Sequence, residues 1–226
     1  MPDFGYWSWP LDVVGGYEQI RQVIADSELP FEQKISKGVW RGNPKTNSLR
    51  KDLLKVTAGK DWADVQEIRW KSRTELRDSD AGKALSMSDH CKYQFLIQTE
   101  GHSYSGRGKY LQNCHSVVIM HKRRWIEPHH HLLIASGPEQ NVVEVEPDFS
   151  DLEVKMLDLL ARPREAKRIA DNGVKTFRDG YLTPAAQACY WRRLIQAWSE
   201  VSFAPQTWEE LDGRRKVKGI PFESFV

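Results

Sequence analysis

The stretch Asp89–Met120 constrains the fold more than any other, because it holds a strand, a glycine-rich turn, a helix and a second strand in one short run. Tyr93-Gln94-Phe95-Leu96-Ile97-Gln98 mixes aromatic and aliphatic residues over a length too short for a helix, and so predicts a buried strand. In the loop that follows, Gly101 and Gly106 permit tight turns, while Ser103, Ser105 and the backbone N–H groups can all donate to an anion. Tyr110, Leu111 and Cys114 recur at helical spacing and predict a helix over Arg107–Cys114, and Ser116–Met120 reads as a second buried strand. Such a unit sets an anion against a helix N-terminus, where unpaired N–H groups and the helix dipole favour negative charge. Arg107 falls in the first turn of that helix, where the dipole disfavours a cation by roughly a few tenths of a kcal/mol unless an anion lies between. Its planar guanidinium also matches phosphate oxygens. From the residues alone a second reading stays open: the glycines shape an ordinary loop and Arg107 is a solvated charge, because short glycine motifs often arise by chance.

The rest of the chain fits around this unit as further α/β structure. Tyr17, Ile20, Val23 and Ile24 predict an amphipathic surface helix over Gly16–Asp26, ended by Glu28-Leu29-Pro30. Ile35–Trp40 reads as a strand with Arg41 at its carboxyl end, so that Arg41 and Arg107 converge if ligands bind at the carboxyl ends of an open sheet. Asn47 caps a helix through Val56, and Asp64–Trp70 is another candidate strand. Lys71–Lys83 is charged and aperiodic, as a solvent loop at the cleft rim would be. Asn141–Val145 is a third strand of this half. Ser150 caps a helix that turns Leu152, Met156 and Leu159 inward, and Pro163 starts another with Ala166, Ile169, Ala170 and Phe177. A last helix from Pro184 through Trp198 buries Ala188, Trp191, Ile195 and Trp198, and the chain from Ser202 is irregular.

Composition narrows the class. With 226 residues and 40% hydrophobic content the chain builds one real core, and it is short for two Rossmann-like domains. Those would take roughly 300 residues. The balance of 33 basic and 31 acidic residues gives no global field toward nucleic acid or membrane, and His121–Arg124 and Arg214–Lys216 read as solvated runs. No apolar run reaches the ~20 residues of a membrane span, and no basic-then-apolar signal opens the chain. His129, His130 and His131 are consecutive, so they do not share one face, and zinc sites space their ligands; a cleft-side loop is the better reading than a metal site.

The words HCKYQFLIQTEGHSYSGRGKYLQNCHSVV, with FGYWSWP at Phe4–Pro10, VWRG at Val39–Gly42, LRKDLL at Leu49–Leu54, DLEVKMLDLL, and LTPAAQACYWRRL at Leu182–Leu194, resemble in order the signature of glycosyltransferase family 90. That family holds protein O-glucosyltransferases, capsule xylosyltransferases and lipopolysaccharide-modifying relatives. The resemblance implies the Rossmann-like donor-binding half of a GT-B glycosyltransferase, a parallel sheet flanked by helices, with the N-terminal acceptor domain largely missing. It implies transfer of glucose or xylose from a UDP-sugar to a hydroxyl of a protein or glycan, with inversion and without a metal or other cofactor. The alternative is a truncated, inactive UDP-sugar-binding module.

In the family the arginine of VWRG and the serine and arginine of SYSGR hold the donor diphosphate, here Arg41, Ser105 and Arg107. Around them the donor-binding set extends to Gly101, Ser103, Tyr104, Gly106 and Lys109. Gly108 stands where the family usually has leucine or another large residue; a glycine there costs about 1 kcal/mol relative to alanine and implies a looser phosphate loop. The resemblance puts Trp7, Ser8 and Trp9 on the acceptor side, with a tryptophan pair packed in an interdomain core as the equal alternative. No catalytic residue is assigned: the family's general base is an aspartate upstream of Met1, and neither Asp3 nor Asp12 matches it. The family pattern also pairs cysteines at Cys91 and Cys114, leaving Cys189 over; three buried thiols in a cytosolic protein are the alternative. A signal or anchor for the secretory pathway is expected ahead of this chain. The implied division is an acceptor-side linker over 1–34, the nucleotide-sugar domain over 35–200 and an irregular tail over 201–226.

Overall fold

Five short strands, four of them carrying buried apolar runs and one edge strand half-buried, line up as one parallel sheet. They are β1 (Ile35–Gly42), β2 (Ala63–Glu67), β3 (Tyr93–Gln98), β4 (Val117–His121) and β5 (Val143–Val145), in the order β2-β1-β3-β4-β5. Helices fill the connections: α1 (Tyr17–Ser27), α2 (Ser48–Thr57), α3 (Met87–His90), α4 (Gly108–Leu111), α5 (Leu152–Ala161) and α6 (Pro163–Gly173), the last running on as a π-helical segment Val174–Tyr181. Then come α7 (Pro184–Val201) and a hairpin of β6 (Trp208–Leu211) and β7 (Arg214–Val217). The computed structural model describes residues 2–6, 15–69, 83–220 and 224. Trp7, Ser8, Trp9 and all but the end of the Lys71–Lys83 loop therefore lie outside the described residues.

Successive strand residues point to opposite faces of a sheet, and both faces here are apolar. Trp40, Phe95, Ile97, Val117 and Ile119 pack with Leu49 and Leu53 of α2, Met156 of α5 and Ile169 of α6. Val39, Leu96, Val118 and Met120 pack on the other face with Tyr17 and Ile24 of α1, Tyr110 and Leu111 of α4, and Phe177. Since α2 and α4 cover opposite faces, the connections after β1 and β3 part company, which opens a crevice between the carboxyl ends of those two strands. Cys91 and Cys114 form a disulfide, with Cα atoms 5.0 Å apart, that ties the approach to β3 to the chain leaving α4.

The chain divides into two units, Met1–Ala186 and Gln187–Val226, so the boundary falls inside α7 rather than near residue 200. Three further expectations are corrected. The helix over Arg107–Cys114 is one turn only, because Asn113 folds back to donate to the Lys109 carbonyl at 2.7 Å and the backbone bends toward Cys114 and β4. In α7 no residue is buried: Trp191, Ile195 and Trp198 are 39%, 64% and 66% exposed, and Ala188 is exposed. Periodicity identified its apolar side but says nothing of what covers it. The stretch after Ser202 is not all irregular, since Asp212-Gly213, both at positive φ, turn β6 into β7. A smaller difference is that Asp151 rather than Ser150 precedes α5.

Candidate functional site

The carboxyl ends of β1 and β3 carry most of the polar residues that the sequence singled out. Trp40 is fully buried on the α2 face and its indole N–H donates to Thr99 Oγ1 at 3.1 Å, joining the two strand ends. Asn47 caps α2 by accepting from the Arg50 N–H, and its amide donates to the carbonyls of Glu100 and Gly101 at 3.0 and 2.8 Å. One side chain thus starts the helix after β1 and staples the loop after β3. The Glu100 carboxylate accepts from the backbone N–H groups of Arg124 and Trp125, at 2.8 and 2.9 Å, and brings in the loop after β4.

The Gly101–Arg107 loop is braced through its carbonyls and open at its donors. Gln98 Nε2 donates to the Ser105 carbonyl at 3.0 Å, as does the Gly108 N–H at 3.1 Å, and the Gly101 N–H reaches the Ser103 carbonyl at 2.8 Å. Among the described residues, nothing accepts from the backbone N–H groups of His102 through Arg107, and the hydroxyls of Ser103 and Ser105 make no hydrogen bond. Consecutive unpaired N–H groups of this kind make an anion-binding concavity. The glycine at 108 does not loosen the loop: a Cβ there would lie 3.0 Å from Gln98 Nε2, so the Gln98 amide occupies the room that a large residue would take. With α4 only one turn long, dipole help is small and the loop's own donors carry the polarity.

Charge accumulates at the same place. Arg41 is committed to Asp64, donating to its carboxylate at 2.9 Å and to the carbonyls of Asp64, Trp40 and Lys83. Burial works to raise the Asp64 pKa, but hydrogen bonds from Arg41, Tyr93 and Gln66 prevail and hold it at about 2, so the carboxylate is ionised at neutral pH. Arg107 is half-buried, and its side chain has no hydrogen bond or ion pair among the described residues. Burial, then the charges of Arg50 and Arg41, push its pKa down to about 9. His90 stays neutral, pushed down to about 4 by burial and by the charges of Arg107 and Arg41, and its Nδ1 lies 2.7 Å from the Ser86 carbonyl. The centre thus gathers the guanidinium groups of Arg41, Arg50 and Arg107, with the Asp64 carboxylate taken up by Arg41 and the Glu100 carboxylate by backbone N–H groups.

Other candidates point elsewhere. Lys109 is buried with its ammonium 2.7 Å from Asp3 and 4.8 Å from the Tyr6 ring. It fastens the N-terminal segment to α4. The three histidines diverge: His129 is buried against Phe177 and Tyr181, His130 lies beside Arg123, and His131 packs edge-on to Tyr181. Among the described residues, no group of three metal-ligating side chains is assembled. Sequence reasoning missed Arg50, although an arginine between Leu49 and Leu53 on the apolar side of α2 was a visible anomaly.

Gly42 admits a test of how tightly the strand end is packed. A Cβ at this position would lie 2.5 Å from the Trp40 ring, which is itself buried and 5.7 Å from the Arg50 guanidinium. Gly42→Ala should therefore displace Trp40 and lower stability by about 1–3 kcal/mol, read as an earlier urea midpoint. An unchanged midpoint would mean that the ring moves freely.

A sequence model of Glycosyl transferase family 90 matches residues 1–212. Protein O-glucosyltransferase 1 of Rattus norvegicus is 27% identical over 212 residues, which cover 88% of this chain and 53% of that protein. O-glucosyltransferase rumi of Drosophila melanogaster is 27% identical over 198 residues, covering 82% and 46%. The chain thus spans about half the length of the curated relatives it matches. Among solved structures, sucrose-phosphate synthase from Thermosynechococcus elongatus overlays with a TM-score of 0.48 at 15% identity, over 84% of this chain and 52% of that one.

Proposed function

Since the chain belongs to glycosyl transferase family 90, we propose that its sheet is the donor half of a GT-B enzyme that moves glucose or xylose from a UDP-sugar to a hydroxyl of a protein or glycan. The observation that carries the reading is the Arg107 guanidinium, without a hydrogen-bond or ion-pair partner among the described residues, beside a loop whose N–H groups from residue 102 to 107 have no acceptor among them either. A diphosphate supplies the negative charge and the acceptors that this loop lacks.

In the reaction, the bond from the anomeric carbon to the diphosphate oxygen breaks while the acceptor oxygen forms its bond from the opposite face. The acceptor proton passes to a carboxylate base, and the electron pair leaves on the UDP. Positive charge and aimed N–H donors that meet this developing anion lower the barrier. Arg107 and the loop do this directly, and Arg41, held by Asp64, adds its field from the end of β1. In this reading fixed guanidinium groups take the part of a divalent ion, so no metal is required. The oxidising lumen of the secretory pathway is the compartment in which the Cys91–Cys114 bridge persists.

Thermal unfolding with UDP, UDP-glucose or UDP-xylose in EDTA tests the reading. A ligand that binds only the folded state raises the melting temperature, by about 2.7 kcal/mol of stability at a hundred times Kd. UDP-dependent stabilisation without a metal is expected; its absence would remove the donor assignment. Stabilisation without sugar transfer or donor hydrolysis would favour a binding module.

A further inference from the structure

Building on the donor-diphosphate reading, we propose that Arg50 is a third anion-facing guanidinium: its Nε and Nη1 fix the two loops of the crevice while Nη2 is left to meet a phosphate oxygen. Arg50 Nε donates to the Glu100 carbonyl at 3.1 Å, and Nη1 to the Asn43 carbonyl at 3.3 Å and Thr46 Oγ1 at 3.2 Å. These bonds hold the loop after β1 against the loop after β3. Nη2 has no acceptor among the described residues.

Gly101 lies beside Nη2. A Cβ on Gly101 would lie 3.4 Å from the Tyr104 carbonyl oxygen, 3.7 Å from Nη2 and 3.8 Å from the Ser103 carbonyl oxygen, so a larger side chain at this position would crowd that nitrogen as well as the loop backbone. Gly101 does not need to be glycine for its conformation, since it is not among the glycines at positive φ. What glycine preserves here is access to Nη2 from the loop side.

The charge is also unbalanced. Arg50 is 9% exposed and pairs with no carboxylate among the described residues, and burial pushes its pKa down to about 10. Its charge is the larger of the two that act on Arg107, ahead of Arg41. A buried cation without a counterion is costly, and two of them side by side are costlier, unless a ligand supplies the anion.

Titration calorimetry on the full chain, with UDP, inorganic pyrophosphate and uridine over a sodium chloride series, tests this for Arg50→Gln, Arg50→Lys and Gly101→Val. Arg50→Gln should weaken UDP and pyrophosphate roughly tenfold to a hundredfold, flatten their salt dependence, and leave uridine, which has no phosphate, unchanged. Arg50→Lys should lose less, because it keeps the charge but not the fork. Gly101→Val should lose affinity with Arg50 intact. Equal losses of UDP and uridine in Arg50→Gln would make Arg50 a structural clamp only, and wild-type affinity with wild-type salt dependence would also overturn the proposal. Arg50-dependent binding of pyrophosphate with no binding of UDP would uphold Arg50 and sink the nucleotide reading; binding of neither anion by the wild type would sink both.

Discussion

Replacing Arg107 with glutamine should abolish measurable UDP binding and cut donor turnover by about 10²–10³, while leaving the protein at least as stable as before. The two halves of this result have one cause. Arg107 is half-buried, has no partner among the described residues, and sits within the fields of Arg50 and Arg41. Burial and the charges of Arg50 and Arg41 lower the pKa of this cation, so its charge opposes folding throughout the neutral range. Glutamine removes the charge and keeps most of the side chain's length, so the repulsion goes and the packing largely stays. Scanning calorimetry paired with UDP titration checks both halves. A large drop in melting temperature would show that Arg107 supports the fold, and unimpaired UDP binding would dissolve the case for the anion site.

Cys91→Ser should have the opposite profile, lowering unfolding free energy by about 3 kcal/mol, as expected for a bridge whose cysteines are 23 residues apart. Both half-cystines are almost wholly buried, so the serine hydroxyl and the stranded Cys114 thiol add to the loss. The closed segment contains β3, the Gly101–Arg107 loop and α4. Freeing its ends should therefore also loosen the loop and weaken UDP binding, but as a consequence of stability. Urea denaturation with and without reductant measures the first effect: reductant should destabilise the wild type toward, but not fully to, the level of the variant and leave the variant unmoved. A wild type indifferent to reductant would mean that the bridge contributes little.

The positions of β1, β3 and β4 were legible because strands buried on both faces need unbroken apolar runs, and Val39-Trp40, Phe95-Leu96-Ile97 and Val117-Val118-Ile119-Met120 satisfy that need from local sequence alone. The Asn47 cap was legible for a similar reason, since the side chain and the N–H it accepts are three residues apart. The hairpin at Asp212-Gly213 carried a recognised turn signal that was passed over in a polar tail. The role of Gly108 was misjudged because the group that fills its missing side chain, the Gln98 amide, comes from the preceding strand. Lys109 looked like a phosphate ligand by its place in the loop, yet the carboxylate that takes it up lies at Asp3, 106 residues away along the chain.

By itself the sequence determined the kind of architecture and the chemistry of the central loop: alternating strands and helices, glycines where the backbone turns tightly, serines and an arginine where donors collect. Only the tertiary structure decided which cations share the crevice and which of them are already paired. Strand periodicity and turn residues act over a few positions, whereas the charge felt by Arg107 depends on groups from β1 and α2 that are distant in the chain and close in space. Arg41 and Arg50 are alike on paper; packing gives one of them Asp64 and gives the other no carboxylate among the described residues.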